Sequence, residues 1–268
     1  MSLFLRVALW VGLTFLYLPI VVMIFYSFNA SQRSSIWSHF TLDWYAQLFR
    51  DPQILQAAWL SVQIGVYSAT IATILGIAAA VILTKFGAFR GRSLFAGMLT
   101  APLVMPEVIT GISLLLLFIS TAELFGWPTQ RGVMTVTIGH ATLGTAFVLV
   151  VVQPRLRALN QSLEEASRDL GAGPLETFWF ITLPLLLPAV IAGWLLAFVI
   201  SFDDLVIASF TSGPGSSTLP MLIYSKVRIG LSPDVNALAT LLILAVFVGL
   251  FIAWIMVRRD WRRGSSRP

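Results

Sequence analysis

The chain has 268 residues, of which 57% are hydrophobic and only 11% are charged, with a net charge of +5 at pH 7. Soluble domains carry about 25% charged residues, so this composition excludes a water-soluble globular domain and predicts one polytopic membrane domain. The sequence contains no cysteine, which excludes disulfides, zinc–thiolate sites and cysteine nucleophiles.

Six long apolar segments follow one another along the chain, each with about the 20 residues that a helix needs to cross a bilayer. The sequence therefore predicts an all-α membrane protein with six transmembrane helices. The first segment is longer than the core of a signal peptide, about 7–15 residues, and we interpret it as a retained signal-anchor helix. The predicted spans are residues 7–28, 60–83, 94–119, 133–152, 189–209 and 237–257.

The orientation of these spans follows from the basic residues, which concentrate in cytoplasmic loops. If the N-terminus is cytoplasmic, twelve of the 17 Lys and Arg residues fall on the cytoplasmic side. The other five are Arg33, Arg50, Arg131, Lys226 and Arg228. Both termini are therefore predicted to lie in the cytoplasm.

The second span carries small residues on one helical face, which allow helix backbones to approach closely in a membrane. Either packing within the chain or contact with another subunit would explain this face. The residues are Ala69, Ala72, Thr73, Gly76 and Ala80.

The two longer segments predicted on the external side contain a short helix and a turn-rich run. Residues 41–49 favour a short interfacial helix capped by Thr41, with Trp44 and Tyr45 at the level of the lipid headgroups. Residues 210–236 contain a turn-rich Gly-Pro-Gly run at 213–215. Both segments could dock an external partner or could only connect helices.

Three carboxylic acids lie within the apolar spans, with no Lys or Arg beside them: Glu107, Asp203 and Asp204. An intramembrane carboxylate costs roughly 2.5–3.5 kcal/mol and usually marks a function. Pro102 and Pro106 interrupt the span before Glu107, as expected for a helix that lines a pathway. The missing partner is therefore predicted to be a cation that crosses the membrane. Pairing with a basic residue of another subunit, or protonation of the acids, is the alternative.

The two main acids are predicted to lie at a similar depth. At about 1.5 Å per residue, Glu107 and Asp203 both lie about 20 Å from the predicted cytoplasmic ends of their spans. Asp203 and Asp204 point about 100° apart on a helix, so one should face the pathway while the other packs or caps. His140 is interpreted as a hydrogen-bonded interior histidine without an assigned function.

An aromatic stripe, formed by Trp194, Phe198 and Phe202, follows one face of the fifth span. Aromatic faces attract ammonium groups by about 0.5–2 kcal/mol, which would suit a diamine in the pathway. Packing against lipid or another subunit is the alternative explanation.

The segment 154–188 carries several helix-capping and helix-ending signals. Ser162 and Glu165 have the spacing of a capping box at the start of a helix. Gly171 is expected to stop that helix in a left-handed conformation. Gly173 and Pro174 then suit the start of a second short helix at 175–180.

This loop resembles the signature of ABC-importer permeases, EAA-x3-G-x9-I-x-LP, with Ser167 replacing the third residue of the EAA triplet. The resemblance implies a type I ABC importer transmembrane domain whose coupling helix sits in a cleft of an ATPase subunit, and the segment 154–188 is therefore called the coupling loop. Changes at Glu165 or Gly171 should then uncouple ATP hydrolysis from transport. The residues expected to serve this coupling are Ser162, Glu164, Glu165, Ala166, Ser167, Gly171, Ile181, Leu183 and Pro184.

Three other segments, 103–111, 201–210 and 218–222, resemble permeases of putrescine and spermidine importers, in particular the second-permease type of the putrescine system. That resemblance implies a bacterial inner-membrane assembly of two different permeases, two ATPase copies and a periplasmic polyamine-binding protein. The chain lacks the P-loop pattern G-x4-G-K-[ST], so ATP and Mg²⁺ are expected on the ATPase and no cofactor is expected here.

The predicted organisation has an N-terminal helix and periplasmic segment at 1–59, a transmembrane domain at 60–257 and a basic tail at 258–268. A permease for another cation, such as iron or thiamine, is the first alternative. An intramembrane aspartyl protease is a second, although such enzymes place their aspartates on separate helices. A passive channel is a third, and it would not explain the coupling loop.

Overall fold

The structure is a computed structural model that describes residues 3–31, 36–230 and 233–264. In the last helix, side chains are described to residue 249 and at 251, 254 and 255. Arg33 and residues 265–268 of the predicted tail lie outside the described residues. Within the described ranges the regular secondary structure is helical, with one isolated β-bridge between Asn29 and Phe40.

Twelve α-helices and one π turn follow each other along the described chain. They are α1 Leu3–Tyr26, α2 Asp43–Leu48, α3 Pro52–Lys85, α4 Arg92–Val104, α5 Glu107–Phe125, α6 Val133–Arg157, α7 Gln161–Asp169, α8 Pro174–Thr177, the π turn Phe178–Thr182, α9 Leu183–Asp203, α10 Val206–Thr211, α11 Leu219–Ile229 and α12 Pro233–Gly264.

Five described helices are long and apolar enough to cross a membrane: α1, α3, α5, α6 and the continuous helix Pro174–Asp203. The predicted span 94–119 is corrected, because it is divided between α4 and α5. The predicted span 189–209 is also corrected, because its helix begins earlier and ends at Asp203. The sixth predicted span lies on α12, whose described apolar part is the shorter Pro233–Gly249.

The chain divides into two compact units, Gln56–Leu222 and the combination of Met1–Leu55 with Ile223–Pro268. In the second of these, α2 and α1 each contact α12. The predicted short helix at 41–49 is confirmed as α2, but its N-cap residue is Leu42 and not the predicted Thr41. The Thr41 hydroxyl, one residue earlier, accepts a hydrogen bond from Asp43 N at 3.1 Å. Trp44 donates from Nε1 to the carbonyl of Asn29 at 2.8 Å, which ties α2 to the preceding segment.

The core of the unit Gln56–Leu222 lies where α3, α6 and α9 meet. Ala69, Ala72 and Ala80 are fully buried there, so the small face of the second span packs within the chain. A Cβ on Gly144 of α6 would lie 3.0 Å from Cβ of Ala72, which shows how closely the backbones approach. Packing within the chain is therefore the explanation that the structure confirms.

Candidate pathway and coupling sites

The helix break before Glu107 follows from proline chemistry. Pro106 disfavours the helical conformation of the residue before it, and Met105 is extended with ψ 138°. α4 therefore ends at Val104, and α5 begins at Glu107 with Pro106 as its N-cap residue. The predicted interruption is confirmed, and it places Glu107 in the first turn of α5, where its side chain is exposed. A carboxylate is favourable at this position because the helix dipole is positive there.

A second break separates α9 from α10 at Asp204, which is extended with ψ 127°. Its carboxylate accepts hydrogen bonds from the backbone N–H groups of Ile207 at 3.0 Å and Ala208 at 3.2 Å. These are orphan donors of the first turn of α10, so Asp204 caps that helix. Asp203, the last residue of α9, is exposed. The prediction that one of the two aspartates caps is confirmed.

Asp204 also has a partner in α6. His140 Nε2 lies 3.2 Å from Asp204 Oδ2, and both side chains are nearly inaccessible, at 1% and 6% exposure. This corrects the prediction that the intramembrane acids lack a partner within the chain. It also removes Asp204 from the residues expected to face a pathway, because its oxygens are engaged internally. Nothing in the local sequence around His140 indicated this pairing.

The aromatic stripe forms a continuous stack on α9. The ring centroids of Trp194 and Phe198 lie 5.6 Å apart, and those of Phe198 and Phe202 lie 5.9 Å apart. Trp194 donates from Nε1 to Thr70 Oγ1 on α3 at 3.2 Å, and the Phe198 ring lies against Gly65. Packing within the chain therefore accounts for Trp194 and Phe198, while Phe202 adjoins the exposed Asp203.

The coupling loop begins with a cap that the sequence analysis misplaced. Asn160 Oδ1 accepts from Ser162 N at 3.1 Å, so Asn160 caps α7, and the predicted capping box of Ser162 with Glu165 is wrong. Asn is as effective a cap as Ser, and its earlier position starts the helix sooner. The predicted stop is confirmed, since Gly171 has φ +91°.

Glu164 connects α7 to the helices on either side. Lys85 Nζ, in the last turn of α3, donates to Glu164 Oε2 at 2.5 Å, and Thr182 donates to Oε1 at 2.8 Å. Ser167 and Thr177 share a third hydrogen bond at 3.1 Å, so the serine that departs from the EAA triplet fixes α7 to α8. The sequence analysis missed Lys85, Thr177 and Thr182.

Exposure separates the two neighbouring glutamates of the coupling loop. Glu164 faces inward and is 9% exposed, whereas Glu165 and Ala166 are exposed. Burial raises the pKa of the Glu164 carboxyl, but hydrogen bonds from Lys85 and Thr182 and the charge of Lys85 outweigh it, so the pKa is lowered from its ordinary value of 4.5. Glu165 is thus available to a partner, and Glu164 holds the loop.

The second short helix predicted at 175–180 is corrected, because α8 continues through the π turn into α9. Pro184 has no N–H to offer the carbonyl one turn before it, and π turns are one way in which helices accommodate such a lost bond. Ile181 and Leu183 are half-buried along this helix, and Pro184 is exposed. α7 is therefore the one free-standing short helix of the loop, and Gly171 separates it from the long helix.

The lowered pKa of Glu164 predicts a dependence of stability on pH. A carboxyl whose folded pKa lies below its unfolded value stabilises the protein above the unfolded value, near 4.5, and this contribution is lost as pH falls through the folded pKa. The thermal stability of purified wild-type protein should exceed that of Glu164→Gln at pH 7, and the two should converge below pH 4.5. Melting curves across this range measure the difference. A constant difference would contradict the role of the carboxylate charge.

Comparison with known proteins agrees with this arrangement of broken helices and a helical coupling loop. Residues 72–260 match the family described as "Binding-protein-dependent transport system inner membrane component", and the chain belongs to this family. It is therefore a multi-pass inner-membrane subunit of ABC-importer type, and not an enzyme.

Among curated relatives, the putrescine transport system permease protein PotI of Escherichia coli K12 is 54% identical over 94% of this chain and 90% of its own length. The spermidine/putrescine transport system permease protein PotC of the same strain is 41% identical over 94% of this chain and 92% of its own length.

Solved structures share the fold. A chain of a bacterial ABC transporter that imports the acidic polysaccharide alginate has a TM-score of 0.72 and 17% identity, with 93% of each chain covered. A chain of the inward-facing MetNI methionine ABC transporter has a TM-score of 0.60 and 19% identity, covering 82% of this chain and 98% of its own. At such identities these structures establish the fold alone.

Proposed function

We propose that this chain is a permease subunit of an ATP-driven importer of polyamines, with putrescine as the first candidate cargo. The observation that carries this proposal is the 54% identity to the putrescine permease PotI over 94% of the chain. The 41% identity to the spermidine/putrescine permease PotC keeps spermidine within the substrate class.

The geometry supports a cationic cargo. Glu107 and Asp203 are both exposed, and each lies at the break of an apolar helix. The helix segments that follow these breaks, α5 and α10, pack against each other. Each acid can offer a carboxylate to an ammonium group that passes through the membrane. Passage requires release as well as binding, so a weak site suffices.

The proposed assembly contains a second, different permease, two ATPase subunits and a periplasmic polyamine-binding protein. The distribution of basic residues predicts six spans with both termini in the cytoplasm, and with that topology the coupling loop would lie on the ATPase side. The exposed Glu165 and Ala166 would contact the ATPase, and the bonds of Glu164 would pass its movement to α3 and α9. ATP and Mg²⁺ would bind to the ATPase subunit.

The test is neutralisation of the two exposed acids. In cells that express the complete transporter, the double variant Glu107→Gln and Asp203→Asn should lower labelled putrescine uptake by about tenfold or more, because a contact to a charged group contributes about 1.5–3 kcal/mol. Uptake is measured with spermidine and thiamine as competitors, together with the amount of assembled complex.

Glu123→Gln is the matched control, since Glu123 is an exposed glutamate at the other end of α5. It should leave uptake unchanged. Full transport by the double variant would exclude the acids from the mechanism, and competition by thiamine but not by spermidine would reassign the cargo.

A further inference from the structure

A chain of buried polar side chains links three helices of the unit Gln56–Leu222. Ser68 of α3 donates to Ser201 Oγ of α9 at 2.9 Å, and Ser201 Oγ lies 2.7 Å from His140 Nδ1 of α6. His140 Nε2 then lies 3.2 Å from Asp204. Ser68, His140 and Ser201 are 1%, 4% and 6% exposed, so these linked polar side chains are buried.

The state of the imidazole depends on the order of donors, because the Ser68 hydroxyl has one proton and two acceptors, Ser201 Oγ at 2.9 Å and the carbonyl of Gly65 at 3.2 Å. When Ser68 donates to Ser201, the nearer of the two, the Ser201 hydroxyl is free to donate to Nδ1 of His140, and the proton of a neutral ring then sits on Nε2, which faces Asp204. Among described residues Nε2 has no hydrogen-bond partner, so its 3.2 Å contact with Asp204 is one of proximity and not an aligned hydrogen bond. Both His140 and Asp204 would be costly to bury alone, so each requires the other.

This network ends at the helix break itself. Asp204 uses its two carboxylate oxygens to cap α10, and one of them also faces His140. The backbone at 204 is thereby held extended, with α9 ending at Asp203 and leaving that side chain exposed. Without His140, the Asp204 carboxylate would lose its buried counterpart, and the position of the preceding residue would no longer be fixed.

We propose that His140 is a positioning residue that fixes the Asp203 carboxylate toward the cargo by holding Asp204 as the cap of α10. This inference rests on the proposed function, because it assigns Asp203 to the pathway. The expected result of breaking it is a transport defect that depends on Asp203, and not only a loss of protein.

The experiment is a double-variant cycle in the complete transporter, with the KM and maximal rate of putrescine uptake normalised to the assembled complex. His140→Ala and Asp203→Asn should each reduce uptake by about tenfold. The double variant should also reduce it by about tenfold, because without His140 the Asp203 carboxylate is no longer held toward the cargo and its removal costs nothing more. His140→Gln, which keeps an N–H donor, should recover part of the activity. Thr137→Val is the control, since within the described part of the chain this buried α6 hydroxyl bonds only to its own helix.

Each outcome bears on one claim. If Asp203→Asn transports normally, the proposed function of Asp203 fails, whatever His140 does. If Asp203→Asn is defective but His140→Ala transports normally per assembled complex, or the two losses multiply to about a hundredfold, the positioning role is overturned. If His140→Ala does not assemble, the same measurements on His140→Gln test the proposal. A normal KM and a normal maximal rate of uptake by His140→Gln would overturn it. A reduced uptake that is not reduced further when Asp203→Asn is added would support it.

Discussion

Replacement of Glu164 by alanine is expected to lower the stability of the purified permease and to reduce transport per ATP hydrolysed. The substitution removes the acceptor for Lys85 and Thr182, and it leaves their donor groups unpaired in a largely buried position. Loss of a buried hydrogen bond to a charged group costs about 1.5–3 kcal/mol. Thermal melting of the purified permease measures the first effect, and the ratio of putrescine uptake to ATP hydrolysis in reconstituted transporter measures the second.

Glu165→Ala is the matched control for stability, because the neighbouring glutamate is exposed on the same helix. It should leave the melting temperature of the isolated permease unchanged while weakening recovery of the ATPase with the complex. Equal melting temperatures for Glu164→Ala and wild type would contradict the inference that Glu164 stabilises the coupling loop through Lys85 and Thr182. A lower melting temperature for Glu165→Ala than for Glu164→Ala would reverse the assignment of the two residues.

Local chemistry explains the features of the fold that could be predicted. Pro106 breaks its helix because it constrains Met105, and Gly171 ends α7 because its left-handed φ suits a residue without a side chain. The aromatic stack on α9 follows from the spacing of its members along one helix. Each of these signals is contained within a few residues, so the sequence shows them directly.

The missed partners that matter most, Lys85 and His140, belong to long-range pairs. Lys85 and Glu164 are 79 positions apart, and Ser68 and Ser201 are 133 positions apart. A lone histidine in an apolar span gives no information about which buried carboxylate it will face, since that depends on how α6 packs against α9. For this reason the sequence could not show which of the two aspartates is engaged internally, although the prediction that one of them packs or caps was correct.

The misplaced cap of α7 has a different cause. Asn160 and Ser162 are both good N-cap residues, and the local sequence favours the serine because Glu165 follows it at capping-box spacing. The structure uses Asn160, which lets Glu164 face inward to Lys85 and Thr182. The earlier start of α7 therefore goes together with contacts of Glu164 to residues outside the loop's local sequence, which the capping pattern does not show.

Substitution of Gly76 is expected to have the largest effect on folding. A Cβ at this position would lie 2.6 Å from Cγ1 and 2.7 Å from Cβ of Val148, and 3.3 Å from the backbone N of Leu149. These contacts are too short for the helices to keep their spacing, and overpacking of a core costs about 1–3 kcal/mol for small additions. Gly76→Ala should lower the melting temperature of the purified protein, and Gly76→Leu should prevent folded protein from accumulating in the membrane.

The same substitutions at Gly97 provide the control, because a Cβ there meets nothing within 4 Å and the position is exposed. Gly97→Ala and Gly97→Leu should accumulate like the wild type. Val148→Ala combined with Gly76→Ala should restore stability only in part, since it removes Cγ1 but leaves the Cβ of residue 148 in place. Full recovery by this pair would show that the helices separate easily. Normal accumulation of Gly76→Leu would refute the close packing of α3 against α6 on which the position of His140 also depends.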